Sequence, residues 1–333
     1  MSITIIRAGL FDSMQDQGRW GYGIWGINPG GVMDLCAAAA ANMLVGNDRA
    51  QPVLEIHFPG PQILFNHPAI ISITGADFSP TINEQPVPLW KPLLVQKNTL
   101  LQFPKLVSGA IAYFSVHGGF DIKPWLNSYS TNTRAMAGGL DGRCLRKGDE
   151  ISFRVQNKFN CHLLQPDQFF KPLPWRTNLG QVYEFPHEMY IIKGNEWDCL
   201  TGTSQYDFLQ DNFLIHPSSD RMGYMLKGQI LQQTHAGEMV SSGVGFGTIQ
   251  LLPGGQPIVL MADHQTAGGY PRLGHVISAH LPKLSQLRPS ECIQFQLTDM
   301  DTAESLYAGL ERDLHIMESA CREQLNPYLS CPL

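Results

Sequence analysis

Asp263-His264-Gln265-Thr266 stands at the end of an apolar run, Ile258 to Ala262, and leads into Gly268-Gly269, Tyr270 and Pro271. An acid, an imidazole and an amide at the rim of an apolar strand are costly to bury without partners. The glycines that follow let a ligand come close to the backbone. The apolar run reads as a buried strand that delivers acid, base and amide groups to a rim, followed by a turn with no side chains in the way. A strand followed by a tight turn, with His264 satisfied at the rim, is the competing reading.

Seven other segments combine polar groups with glycine, serine or threonine. They are Gln15–Arg19, Pro29–Asp34, Thr74–Asp77, His117–Asp121, Ser128–Arg134, Ser219–Tyr224 and Ser241–Gly245. A generic turn explains any one of them, but eight in one chain demand partners for many polar groups. Asp16 with Arg19 can be a local ion pair of small worth at a surface. Asp220 beside Arg221 can cap a turn. Ser241-Ser242 lacks the G-x-S-x-G setting of a serine nucleophile. The Gly-Gly pairs sit in neither common nucleotide-binding pattern, so no ATP cradle is recognisable. Asp263-His264 has no metal-ligand spacing, and no metal is expected.

The elements that must position these groups are mostly strands. Of 333 residues, 43% are hydrophobic and only 16% charged, with 32 Gly and 23 Pro. Few charges and many turn formers favour short strands over long surface helices. Strands are predicted at Ile3–Ala8, Val53–His57, Ile70–Thr74, Ala110–Val116, Glu188–Lys193, Gly247–Leu252 and Pro257–Ala262. Asp34 is placed to cap a helix from Leu35 to Val45 that ends at Gly46. Asp301 to Gln324 reads as a helix with Asp301 and Glu304 as a capping box. Leu306, Leu310, Leu314, Met317 and Cys321 form its core-facing stripe.

Two patterns recur. Leu145–Phe153, Leu287–Phe295 and, more loosely, Val95–Phe103 each set a polar turn before an alternating strand. Arg19-Trp-Gly-Tyr22 is matched by Arg221-Met-Gly-Tyr224. Two related β-rich halves follow as an expectation: residues 1–155, a linker at 156–186 rich in proline, and residues 187–333.

A net charge of -6 without a basic cluster disfavours nucleic acid. The start, Met1–Arg7, reads as a strand rather than a leader, and no apolar run is long enough for a membrane span. Seven cysteines at 36, 144, 161, 199, 292, 321 and 331 include no CxxC pair, which suits reduced thiols in a cytoplasmic protein. Glu196 and Asp198 give Cys199 the wrong neighbours for a stabilised thiolate.

Taken in order, these motifs resemble the 5-oxoprolinase C-subunit family, also described as KipA-like, biotin-dependent carboxyltransferase or allophanate hydrolase subunit 2. The resemblance runs from about Gly9 to about Phe295. It rests on Gln15-Asp-x-Gly-Arg19, Gly30-x-Val-Met-Asp34, Asn42-x-Leu-Val-Gly-Asn-Asp48, Leu54-Glu-Ile56, Thr74-Gly-Ala-Asp77, Gly118-Gly119, Ser219–Tyr224 and Gln256–Pro271. The family often has Arg where His264 stands, and Pro-Gly-Pro where Lys193-Gly-Asn-Glu196 stands. His264, unlike Arg, can change charge near neutral pH.

The resemblance implies a mainly β fold of two cyclophilin-like barrel subdomains. It implies a subunit that opens 5-oxo-L-proline to L-glutamate with a KipI-like B subunit and a LamB/YcsF-like A subunit. ATP would be consumed by the complex, its site on or shared with a partner. Amide resonance makes the lactam carbonyl a poor electrophile, and phosphorylating its oxygen would allow water to attack. Asp263, His264 and Gln265 are then candidate catalytic residues. Arg221, Tyr224, Gln250, Thr266, Gly268, Gly269 and Tyr270 are candidate substrate contacts. Asp16, Arg19, Asp34 and Asp77 form a structural or secondary set. The two barrels would jointly hold the crevice. One alternative is the carboxyltransferase part of a biotin-dependent urea or amide carboxylase. Another is a regulatory partner of a KipI-like protein without turnover.

Overall fold

The computed structural model describes residues 1–154, 164–165, 167–185, 187–234 and 239–329. Residue 155 and, in the expected linker, residues 156–163, 166 and 186 lie outside the described residues, as do Cys161 and Cys331. Two compact units emerge. The first comprises Met1–Gly18, Asp34–Leu179 and the chain from Arg312 onward; the second comprises Arg19–Met33 and Gly180–Glu311.

The first unit encloses its core between two six-stranded sheets. One sheet runs, in spatial order, Glu150–Ser152, Ser2–Arg7, Gln62–Phe65, Leu100–Gln102, Thr81–Ile82 and Gln85–Pro86. The other runs Phe170–Pro172, Pro92–Val95, Ala69–Asp77, Ser108–Val116, Val53–His57 and Ser13–Gln15. Ile3, Ile5 and Phe65 from the first sheet meet Ile71, Ile73 and Phe114 from the second in one buried cluster. The intervening positions of Ile-Ser-Ile-Thr are also buried, because a helix covers the outer face. Ser72 Oγ donates to the Ala41 carbonyl (2.5 Å) and Thr74 Oγ1 to the Ala37 carbonyl (2.7 Å). The small alanines at 37 to 41 leave room for that approach. The helix itself spans Leu35–Leu44, and Asp34 caps it by accepting from Ala37 N, as its sequence predicts.

The second unit holds a closed seven-stranded barrel. Its order is Glu188–Lys193, Arg272–Val276, Thr248–Leu251, Pro257–Leu260, Gly223–Lys227, Phe213–Ile215 and Cys292–Leu297. The last strand closes on the first in parallel. Met189, Ile191, Phe213, Leu226, Ile249, Val259, Leu273 and Phe295 are buried in this unit. Phe208, from the helix Gly202–Gln210, stacks on Phe295 at 4.8 Å and 13°. Closure removes the open edges that a sheet otherwise presents.

The expected mainly β fold with few helices is therefore present, including a C-terminal helix, Met300–Leu329. No helix among the described residues is long and apolar enough to cross a membrane. The cap of this helix differs from expectation: Asp299, not Asp301, accepts from Thr302 N at 2.7 Å. Its buried stripe also differs from the expected one. Leu306 is exposed, while Ala303, Leu314, Cys321 and Leu325 are buried.

The first repeat proves to be a repeat of turn chemistry. Asp149 accepts from Arg146 N (2.7 Å) and Glu291 accepts from Arg288 N (2.8 Å), the same i to i+3 bond. In the looser copy the sense is reversed, Thr99 Oγ1 donating to the Gln96 carbonyl (2.8 Å). The residue before the acceptor or donor takes positive φ in all three: Gly148 (89°), Ser290 (72°) and Asn98 (60°). The second repeat marks no equivalent elements. Arg221–Tyr224 leads into a strand, whereas Arg19–Tyr22 lies in irregular chain, and both copies belong to the second unit.

Candidate functional site

The strand Pro257–Leu260 delivers Asp263 beside Arg221, forty-two positions earlier in the chain. Arg221 Nε donates to Asp263 Oδ2 (2.8 Å) and Nη2 to Oδ1 (3.0 Å), a bidentate pair. Asp263 N also donates to the Arg221 carbonyl (2.7 Å). Arg221, only 6% exposed, spends a further N–H on the Gly31 carbonyl at 2.6 Å. The two most informative motifs thus meet, but they meet by consuming each other's charge. The Asp263 side chain stays 22% exposed, and these bonds use Nε and Nη2 of the guanidinium.

His264 is buried, and its Nδ1 lies 2.6 Å from the Gln265 carbonyl. Burial pushes its pKa below the usual imidazole value, against the raising pull of that carbonyl and of Asp263. Burial thus favours its neutral form. Thr266 accepts on its carbonyl from Val244 N. The strand Ala267–Gly268 pairs with Ser242–Gly243, so the serine-glycine segment and the Gly-Gly turn are neighbours.

Tyr224 turns away from these groups. In the register of Gly223–Lys227 on Pro257–Leu260 and of that strand on Thr248–Leu251, Tyr224, Val259 and Ile249 share one face. The Tyr224 hydroxyl donates to the Ser285 carbonyl at 3.3 Å. The opposite face carries Met225, Ile258 and Gln250, and there a cleft of about 270 Å³ opens. Met222, Met225, Leu252, Ile258 and Leu260 supply apolar walls; Ser218, Asp220, Gln250, Gln265 and Tyr270 supply polar groups.

The amides in this cleft are ordered. Gln250 is fully buried, and its Nε2 donates to the Tyr270 carbonyl (3.3 Å). Gln265 Nε2 donates to Gln250 Oε1 (3.3 Å). Gly268 packs against this pair: a Cβ there would stand 2.5 Å from Gln250 Nε2. Three expected residues, Gln250, Gln265 and Tyr270, therefore line one cleft. Asp220, Met222 and Met225 were not expected there. Met225 carries a readable signal, since it alternates with Tyr224 along a strand, but a methionine resembles core.

The three acids of the secondary set are accounted for within the fold. Asp16 accepts from Gly18 N, Ser128 Oγ, Tyr129 N and Ser130 Oγ, at 2.6 to 2.8 Å. Asp34 caps a helix, and Asp77 accepts from Ser79 N. Arg19 is buried in the second unit, its N–H on the Pro29 carbonyl. Cys199 is a free thiol raised by burial and by Glu196 and Asp198, which agrees with the unfavourable setting read from the sequence. Gly21-Tyr-Gly-Ile-Trp-Gly26 does spell the dinucleotide spacing. It forms only a three-residue 3-10 turn, Gly23–Trp25, and not the strand-to-helix turn that holds phosphate.

Comparison with known proteins follows the same division. The chain matches the carboxyltransferase domain, subdomain A and B, over residues 25–297. It is 34% identical to the 5-oxoprolinase C subunit of Haemophilus influenzae, over 91% of this chain and 94% of that one. It is 33% identical to the 5-oxoprolinase C subunit of Escherichia coli, over 96% and 98%. The crystal structure of the K. lactis urea amidolyase superposes with a TM-score of 0.83 at 26% identity, covering 95% of this chain and 20% of that one. By fold, by motif order and by end-to-end similarity, the chain belongs to the 5-oxoprolinase C-subunit family of carboxyltransferase-domain proteins.

Proposed function

We propose that the protein is the C subunit of an ATP-dependent 5-oxoprolinase, which opens 5-oxo-L-proline to L-glutamate together with B and A subunits. The observation that carries this reading is coverage. The two C-subunit relatives match along nearly their whole length, whereas the urea amidolyase match takes up a fifth of that chain. The Gln250–Gln265 cleft supports it, being sized and polarised for a small amide. ATP is proposed to bind on, or jointly with, a partner subunit of the KipI-like or LamB/YcsF-like kind. Among the candidate groups of this chain, Gln265 is the best placed to touch substrate. Arg221 and Asp263 are proposed to hold the loop that carries it.

Mixing the purified chain with both partner subunits, 5-oxoproline and ATP should release glutamate; omitting this chain should abolish release. Release undiminished without it would overturn the proposal. The carboxyltransferase reading is kept alive by the family description and by the urea amidolyase fold. It requires transfer of carboxyl from carboxybiotin to an amide nitrogen. Carboxylation of urea by this chain, with a biotin carboxylase and biotinylated carrier supplied, would favour it.

A further inference from the structure

The cleft's two glutamines form a relay with a direction. The Tyr270 carbonyl takes the Gln250 N–H, and the Gln250 carbonyl takes one Gln265 N–H. Gln265 then retains its own carbonyl oxygen and one N–H. A carboxamide with both groups open presents a donor and an acceptor side by side. Its complement is an amide that also carries N–H and C=O on one edge. A trans peptide does not, because its N–H and C=O point in opposite directions. A small lactam does, because the ring forces the amide cis, and a urea does by constitution.

The rest of the lining agrees. Met222, Met225, Ile258 and Leu260 offer aliphatic surface to ring methylenes. The charged residue among the described lining residues is an acid, Asp220, whose Oδ1 accepts from Met222 N and Gly223 N.

We propose that this cleft reads the N–H/C=O edge of a cis amide, a lactam or a ureide, through Gln265 held in place by Gln250. It deepens the proposed function, resting on it only in taking that amide as the substrate's reacting group. The same edge is common to 5-oxoproline and urea, the compounds in the names of the relatives.

The test uses the full chain and 2-pyrrolidinone, which presents the lactam edge alone. N-methyl-2-pyrrolidinone is the control, with the same ring and no N–H. Ligand-observed NMR titration should show 2-pyrrolidinone binding about tenfold more tightly, as one lost hydrogen bond to an oriented amide would give. Urea should compete with it. Gln265→Leu should erase the preference with an unchanged melting temperature, and Gly268→Ala should weaken it by displacing Gln250. Equal binding of the two lactams, no measurable binding of either, or a preference that survives Gln265→Leu would overturn the proposal. Glutamate release by the assembled complex is read separately. An active complex in which this chain ignores the N–H would sink this inference and leave the proposed function standing.

Discussion

The Asp16 knot in the first unit and the Gln250–Gln265 cleft in the second treat polar groups in opposite ways. Around Asp16, two backbone N–H groups and two hydroxyls from separate segments satisfy one carboxylate, and nothing is left to offer a ligand. In the cleft, the relay leaves donor and acceptor capacity on Gln265. Arg221 and Asp263 behave like the knot although they sit in the same unit as the cleft. In these regions the charged groups are spent on architecture, while the cleft amide of Gln265 keeps hydrogen-bonding capacity. Burying a charge demands full satisfaction, whereas an amide can be partly committed at small cost.

The largest expected effect tests the knot. Asp16→Ala would strand four donors in a nearly buried site and should cost about 4 kcal/mol of stability, seen as a large fall in the denaturant midpoint. A loss below about 1 kcal/mol, the scale of an ordinary surface substitution, would show that the knot is not structural and would reopen Asp16 as a ligand group. Next comes the ion pair. Asp263→Ala, which leaves the buried Arg221 without its carboxylate, should cost about 3 kcal/mol, and Arg221→Ala, which leaves the half-buried Asp263, about 2 kcal/mol. The double variant should cost much less than their sum. Additive losses would mean that the two act separately, and the comparison would fail at that point. If Asp263 is instead catalytic, Asp263→Asn should abolish glutamate release with unaltered stability.

A third test sharpens the contrast through pH. Asp12, in the first unit, is buried, and desolvation pushes its carboxyl up to about 7 despite bonds from the Gly9 and His57 backbone. The folded state therefore holds this proton more tightly than the unfolded chain. The stabilisation is complete below about 3.8 and is lost as pH rises through about 7. Asp12→Asn, which mimics the protonated form, should remove that decline and stabilise the protein by about 2 kcal/mol at pH 8. No gain at pH 8 over pH 4 would refute the assignment. His280 in the second unit acts in the opposite direction. Burial and Lys283 lower its pKa to about 4, and its Nδ1 accepts from Tyr190 N. Its contribution is present above about 6.5 and is lost as pH falls through about 4, so the two slopes separate in a melting profile.

Much of the fold was legible because alternation and capping are local. Val53–His57 and Glu188–Lys193 carry the bounds read from sequence, and Asp34 caps the helix it precedes. Asp299 was missed because Asp301 with Glu304 offers the same box two residues later, and spacing alone does not choose between them. The site was legible as a set of segments but not as a division of labour. That Arg221 answers Asp263 is a matter of strand register across the barrel, invisible in a linear spacing of forty-two. That Tyr224 faces away while Met225 faces the cleft depends on which face of a strand lies inside. A tyrosine in a glycine-rich motif invites a functional reading, and a methionine does not. Residues 19–33 join the second unit through bonds such as Arg221 to Gly31 and Ser285 Oγ to the Met33 carbonyl, which no local pattern announces.

The smallest expected effect on stability is the most telling for recognition. Gln265 is half-buried, and its side chain makes one bond, to Gln250, at the long distance of 3.3 Å. Replacing it with leucine removes about one modest hydrogen bond and adds apolar contact with Ile258 and Leu260, so stability should change by less than about 0.5 kcal/mol. If Gln265 were structural in the sense of Asp16, Gln265→Leu would behave like Asp16→Ala and unfold the unit. If it is the reading edge, the fold stays and glutamate release by the assembled complex drops through KM more than through kcat, because an amide edge held alike in ground and transition states contributes uniform binding. A fall confined to kcat would instead place Gln265 among the groups that meet charge developing on the lactam oxygen. The KM and kcat split therefore decides between a residue that selects the amide and one that activates it, a distinction the charged residues around it, already spoken for by one another, do not pose.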